Sequence, residues 1–159
     1  MLILGIDPGL RHTGWGLVEK DRSRLIFKAA GVINPQTDID FAKRLTEIYE
    51  GLTGIIEQYH PDESAVEETF VNKNPTTTLK LGQARGIALL VPALHGISVA
   101  EYTPNQIKKM VVGAGHAGKN QVDMMVRTLL PTVPEHIPPD SSDALAIALC
   151  HCFMRNTLC

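Results

Sequence analysis

Asp7 stands at the end of the short apolar run Leu2-Ile3-Leu4-Gly5-Ile6 and is followed at once by Pro8-Gly9. Glu67 closes a second such run after Ser64-Ala65-Val66, and Asp140 and Asp143 stand three apart in Pro138-Pro139-Asp140-Ser141-Ser142-Asp143. Each acid has an ordinary reading. Asp in a Pro-Gly turn bonds its own backbone, while Asp140 as an N-cap and Asp143 at the third helical position gain from the helix terminus. Together they have a different meaning, because carboxylates are hard oxygen donors that suit Mg²⁺ or Mn²⁺, whereas zinc favours His and Cys. Whether the four can act together depends on the elements that carry them.

The first run reads as a strand covered on both faces. Gly14 and Gly16 flank Trp15 in a second strand reached through a hairpin, and a third spans Leu25 to Ile33, where Asn34-Pro35 ends it. Phe41, Leu45, Ile48, Leu52, Ile55, Ile56 and Tyr59 recur at steps of three and four, which predicts a helix closed by His60-Pro61. A buried strand then leads into Glu67. Residues 71–76 read as a loop and Thr77 to about Val91 as a helix, in which Gly82 and Gly86, four apart, admit close approach of another backbone. Ile97 to Tyr102 reads as a strand, and Thr103-Pro104 as the N-cap and first residue of a short helix carrying Lys108 and Lys109. A glycine-rich loop, 113–118, ends at Lys119; Gln121 to Leu130 and Ala144 to Met154 are the last helices, with Asp140 capping the final one. Spacing by three sets Asp140 and Asp143 on the stripe of Ile147 and Cys150, facing inward.

A chain of 159 residues with 44% hydrophobic content suits one domain, residues 1–159. The apolar stretch Ala144 to Cys150 is too short to span a bilayer, and the first strand lacks the basic start and cleavage site of a signal peptide, so a cytoplasmic, non-membrane protein is expected. Cys150, Cys152 and Cys159 crowd the last ten positions, which suits free thiols; Cys150-His151-Cys152 lacks the usual metal spacing. The net charge of −2 argues against phosphate binding, but residues 69–134 hold seven basic side chains against Glu101 and Asp123.

The order of elements resembles the α/β ribonuclease H-like fold, a mixed five-stranded sheet of three antiparallel strands continued by parallel ones, with helices on both faces. In such a sheet the carboxyl ends of the first and fourth strands are neighbours, so Asp7 and Glu67 meet at one rim. The last helix can bring Asp140 and Asp143 there. Four carboxylates at ~4 Å spacings repel by a few kcal/mol per ionised pair at an effective dielectric constant of about 20. Two divalent cations would neutralise them, an arrangement that suits in-line phosphodiester hydrolysis.

"GIDPGLRHTGWG", "AVEETF", "LKLGQARG", "VVGAGHAGK" and "DSSDALAIALCH" resemble the successive motifs of the RuvC family of bacterial Holliday-junction resolvases, in order and almost end to end. The resemblance implies an acidic quartet of Asp7, Glu67, Asp140 and Asp143 holding two Mg²⁺ ions per subunit, with Mn²⁺ able to substitute. It further implies DNA-contacting lysines at Lys108 and Lys119, and a homodimer that nicks two strands of like polarity across four-way junction DNA in recombination and repair. A branch-migration complex of RuvA and RuvB type proteins is the implied partner. Phe70, the aromatic after the second acid, has two readings, a core position and a stacking contact with an unpaired base. His12 and His116 fall near the same side and read as solvent-facing, with His116 also a candidate phosphate contact. Gly82 and Gly86 suit a helix crossing its copy in a twofold dimer.

Three alternatives compete. Sugar kinases and actin-like ATPases open with a similar strand-turn-strand, but they need two lobes, and the first motif is not repeated within 159 residues. RuvX-like nucleases share the fold and the opening acid; the Asp-Pro-Gly opening and the Asp-x-x-Asp helix fit RuvC better. A junction binder whose acids only cap and pair would show no Mg²⁺-dependent product.

Overall fold

The computed structural model describes residues 1–68 and 73–157. Its elements run β1 (Leu2–Asp7), β2 (Thr13–Asp21), β3 (Arg24–Ile33), α1 (Phe41–Tyr59), β4 (Glu63–Glu67), α2 (Pro75–Leu94), β5 (Ser98–Tyr102), α3 (Pro104–Val112), α4 (Lys119–Leu129) and α5 (Pro139–Thr157). The sheet order is β3-β2-β1-β4-β5. β1 pairs antiparallel with β2, and β2 with β3, whereas β4 lies parallel to both β1 and β5. This is the expected mixed sheet with helices on both faces.

Strand periodicity decides which side chain meets which layer, since successive residues point to opposite faces. Leu4 and Ile6 of β1, Leu17 of β2 and Val66 of β4 pack with Ile48, Leu52 and Ile56 of α1 and Ala84, Ala88 and Val91 of α2. Ile3, Val18 and Ala65 pack on the other face with α5 and with Ile107, Val122 and Val126. The odd positions of β1 and of β4 therefore share the α5 face. Asp7 and Glu67 continue those two rows by one step each, and the register Ile6↔Val66 sets them side by side at the strand ends.

Glycine lets α5 lie directly on this face. A Cβ on Gly5 would stand 2.1 Å from the Ala144 carbonyl oxygen, and one on Gly14 would stand 2.0 Å from that of Asp140. Neither contact is possible for a real side chain, so the helix backbone rests on the sheet where β1 and β2 carry no side chains.

Three helix starts differ from the sequence expectation. α5 begins at Pro139, so Asp140 is inside the first turn and is not its cap; the Pro138 carbonyl accepts from the N–H groups of Ser141 and Ser142 at 3.0 and 3.2 Å. Proline suits the first helical position because its missing N–H would have no intrahelical partner. α2 begins at Pro75, not Thr77, with Asn74 accepting from the Thr76 and Thr77 N–H groups, and it continues through Pro92 to Leu94. α4 begins at Lys119, two residues before Gln121, whose side-chain oxygen accepts from the Gly118 N–H at 2.8 Å. Among the described residues nothing lies within 4 Å of a Cβ built on Gly82 or Gly86, while Leu79, Leu90 and Leu94 of the same helix are exposed.

Cys150 and Cys152 are free and buried on α5, and burial pushes their thiols up to about 12 and about 11, so both stay protonated. His151 between them is engaged by the Tyr102 hydroxyl and the Glu63 carboxylate, each at 2.7 Å. Phe70 and Cys159 lie outside the described residues. Among the described residues no helix is long and apolar enough to cross a membrane.

Candidate active site

The ends of β1 and β4 and the first turn of α5 open into a cavity of about 290 Å³. Asp7, Glu67, Asp140 and Asp143 line it together with Lys108 from α3 and Lys119 from α4, over a floor that includes Ile107 and Ile147. The four acids and both lysines inferred from the sequence thus meet in one chamber, whereas His12 and His116 are exposed and stand outside its lining. Asp7, Asp140 and Asp143 offer oxygens that lie within 4.8 Å of one another. Glu67 stands outside that close trio and reaches it through a hydrogen bond with Asp7. Asp7 is the member common to both groupings.

Burial and mutual repulsion leave this cluster with more negative charge than the protein neutralises. Asp7 is pushed up to about 8, first by burial and then by Glu67, Asp143 and Asp140. Glu67 is also raised, by burial first, although its hydrogen bond with Asp7 and the nearby Lys108 and Lys119 pull the other way. The hydrogen bond between the two favours the proton on Asp7, which donates to Glu67. Burial raises Asp143 as well, opposed by Lys119, whose ammonium lies 3.2 Å from it. Lys119 is 77% exposed, so its screening of the buried acids is weak.

The donor set fits a hard divalent cation. Three carboxylate oxygens converge, the trio contains no nitrogen or sulfur donor, and among the described residues the lining offers only the half-buried Lys108 and the exposed Lys119 against four acids. Capping does not account for the acids, since Asp140 lies within the helix and Asp143 is a turn further in.

A further positioning group lay outside the sequence reading. The Ser142 hydroxyl donates to Asp123 Oδ1 at 2.6 Å, and Arg127 Nε donates to Asp123 Oδ2 at 2.9 Å. Arg127 also donates to the Pro134 carbonyl at 3.0 Å. This chain ties the first turn of α5 to α4, which holds Lys119 beside Asp143. The i,i+4 spacing of Asp123 and Arg127 is a visible signal for part of it.

A family model described as crossover junction endodeoxyribonuclease RuvC matches residues 3–151. A protein of that name from Bradyrhizobium diazoefficiens is 55% identical over 157 residues, covering 98% of this chain and 88% of the relative. One from Rhizobium johnstonii is 53% identical, covering 98% and 91%. Among solved structures, T. thermophilus RuvC in complex with Holliday junction substrate superposes with a TM-score of 0.91 at 32% identity, covering 99% of this chain and 96% of that one. The yeast mitochondrial Holliday junction resolvase Ydc2, at 16% identity with a TM-score of 0.70 over 98% and 81% of the chains, shares the fold. With its sheet order, its rim of acids and these relatives in agreement along nearly the whole length, the chain belongs to the crossover junction endodeoxyribonuclease RuvC family.

Proposed function

We propose that this chain, a DNA hydrolase by family, resolves four-way junctions as a single nuclease domain through Mg²⁺-dependent cleavage of two strands of like polarity. The convergence of Asp7, Asp140 and Asp143 within 4.8 Å, with Glu67 bonded to Asp7, carries the reading. Asp7, Glu67, Asp140 and Asp143 would hold two Mg²⁺ ions, with Mn²⁺ able to replace them. Divalent ions supply Lewis-acid chemistry there, lowering the pKa of water and offsetting charge on the phosphate and the leaving oxygen. The carboxylates fix where that charge is offset, and the apolar floor of Ile107 and Ile147 limits the water around it.

Lys108 and Lys119 hold the DNA backbone over the acids. Phosphate contacts position a strand without reading its sequence, a role that suits side chains at the open side of the chamber. For Phe70, three residues after Glu67 in the sequence, Phe70→Ala decides between the two readings: lost junction cleavage at an unchanged melting temperature is expected for base stacking, and a large fall in melting temperature would favour the core position. Paired nicks need two sites, and α2 supports a homodimer: Gly82 and Gly86 leave room for a second backbone beside the exposed Leu79, Leu90 and Leu94. Family membership supports the remaining parts of the reading, cooperation with a RuvA and RuvB type branch-migration complex and action in the cytoplasm.

A synthetic mobile four-way junction incubated with the protein tests the whole. Two ligatable nicks in strands of like polarity are expected with Mg²⁺ and none without it; a protein that shifts the junction but leaves it intact in Mg²⁺ is a binder, and the reading fails. Lys108→Ala and Lys119→Ala are each expected to lower the slope of log affinity against log salt by about 1 and to weaken binding equally for all junction sequences. Binding titrations at several salt concentrations in Ca²⁺ give that slope, and an unchanged value would remove the lysine concerned from the DNA interface.

A further inference from the structure

Asp140 is a wall shared by two cavities. Beyond it from the acidic chamber lies a second space of about 300 Å³, bounded by His12, Val32, Asn34, Pro138 and Asp140 itself. A third, of about 310 Å³, shares Lys119 and Asp143 with the acidic chamber and adds Asn120 and Arg127. The acidic chamber thus shares walls with two further cavities, Asp140 with one and Lys119 and Asp143 with the other.

The two flanks differ in chemistry. On one flank Lys119 and Arg127 stand beside the carboxylates of Asp143 and Asp123, which pair with them, so charged groups of both signs line it. Among the described residues no lysine or arginine lines the His12 flank, which offers two apolar surfaces, an imidazole, an amide and a carboxylate. Such a lining suits an uncharged aromatic heterocycle and disfavours a phosphate. His12 Nδ1 donates to Asn34 Oδ1 at 2.6 Å, which orients both groups. With Nδ1 so engaged, His12 Nε2 and the Asn34 amide nitrogen remain for a ligand, polar groups of the kind with which side chains read base edges. The frame behind them is firm: Asn34 directly follows β3, whose last residue pairs with Thr13, and the Thr13 hydroxyl donates to the Gly9 carbonyl at 3.3 Å.

We propose that the His12–Asn34 pair reads the edge of one nucleobase next to the scissile bond and so sets part of the sequence preference of cleavage. The proposal rests on the junction-cleaving reading above and assigns a specificity role to two residues outside the acidic chamber.

The test uses a panel of immobile junctions in which each base flanking the cut is varied in turn. Wild-type protein is compared with His12→Ala, Asn34→Ala and Asn34→Asp, by cleavage rate in Mg²⁺ and by affinity in Ca²⁺. At one flanking position the wild type is expected to favour its best base by about ten-fold or more, and the two alanine variants to shrink that spread to about two-fold. Asn34→Asp keeps the oxygen that holds His12 but loses the amide donor, so its favoured base should change. Both residues are exposed, and unchanged melting temperatures are expected. An unchanged spread in all three variants, or a loss equal for every sequence, overturns the proposal. The Ca²⁺ arm separates the two readings: base-dependent binding that collapses in the variants, with no cleavage by wild type, sustains the pair and sinks the nuclease reading alone.

Discussion

Asp7→Asn is expected to lose Mg²⁺-dependent cleavage by about 10³-fold or more and, without metal, to melt higher than the wild type. Loss of activity follows from the central place of Asp7, which adjoins the Asp140–Asp143 pair and bonds Glu67. The gain in stability follows from its electrostatics. In the folded protein burial and three neighbouring acids push Asp7 up from 3.8 to about 8. The folded state therefore holds a proton that the unfolded chain releases, and metal-free wild type loses stability as pH rises from about 4 through about 8. Asparagine carries no charge at any of these pH values and keeps an N–H donor for Glu67. The two proteins should match below about pH 4 and diverge by on the order of 1–4 kcal/mol near pH 8 in EDTA, roughly 3–10 °C in melting temperature. Mg²⁺ should raise the wild-type melting temperature more than that of the variant. Thermal melts from pH 4 to 8, with and without Mg²⁺, measure both effects; a variant that melts lower at pH 8 in EDTA would show that the carboxylates are not in electrostatic conflict.

The rim of acids could be inferred from sequence because strand parity is a local property. Asp7 ends a row that begins at Ile3, and Glu67 ends one that begins at Glu63, so their facing follows from counting by twos once β1 and β4 are neighbours. α1 was legible to its last residue, since its apolar stripe repeats over the whole span and His60 takes the left-handed conformation that ends it. Helix starts were legible at Pro104, where Thr103 marks the cap, and less so at Pro75 and Pro139. Pro75 and Pro139 each open a helix, but the same residue also reads as a loop signal, and only the hydrogen bonds to Asn74 and Pro138 decide between the two. The depth at which α5 sits was not legible either. Gly5 and Gly14 look like turn or strand glycines until the carbonyls of Ala144 and Asp140 are seen against them, because contact between a helix and a sheet depends on residues more than a hundred positions apart. The bond from Ser142 to Asp123, 19 residues apart, and with it the brace between α4 and α5, was hidden as well, because a contact between two helices has no period in the sequence.

That helix-to-sheet contact supports the second large effect, expected from Gly14→Ala. Its new Cβ would stand 2.0 Å from the Asp140 carbonyl oxygen and 2.5 Å from the carbonyl carbon, so the first turn of α5 must retreat by about 1 Å to restore an ordinary contact. Asp140 and Asp143 ride on that turn, whereas Asp7 stays with β1. A displacement of this size in a reacting constellation costs about 100-fold in rate, and overpacking costs about 1–3 kcal/mol in stability. The variant should therefore remain folded at room temperature, bind junctions in Ca²⁺ nearly as well as wild type, and cleave them about 100-fold more slowly. Gly54→Ala is the matching control: the residue is exposed in α1 with no described residue within 4 Å of an added Cβ, so helix propensity should stabilise it by about 1 kcal/mol with no loss of cleavage. Single-turnover rates and melting curves for the pair distinguish a displaced turn from general destabilisation. Wild-type cleavage by Gly14→Ala would mean that the acids hold their spacing without the bare backbone contact beneath them.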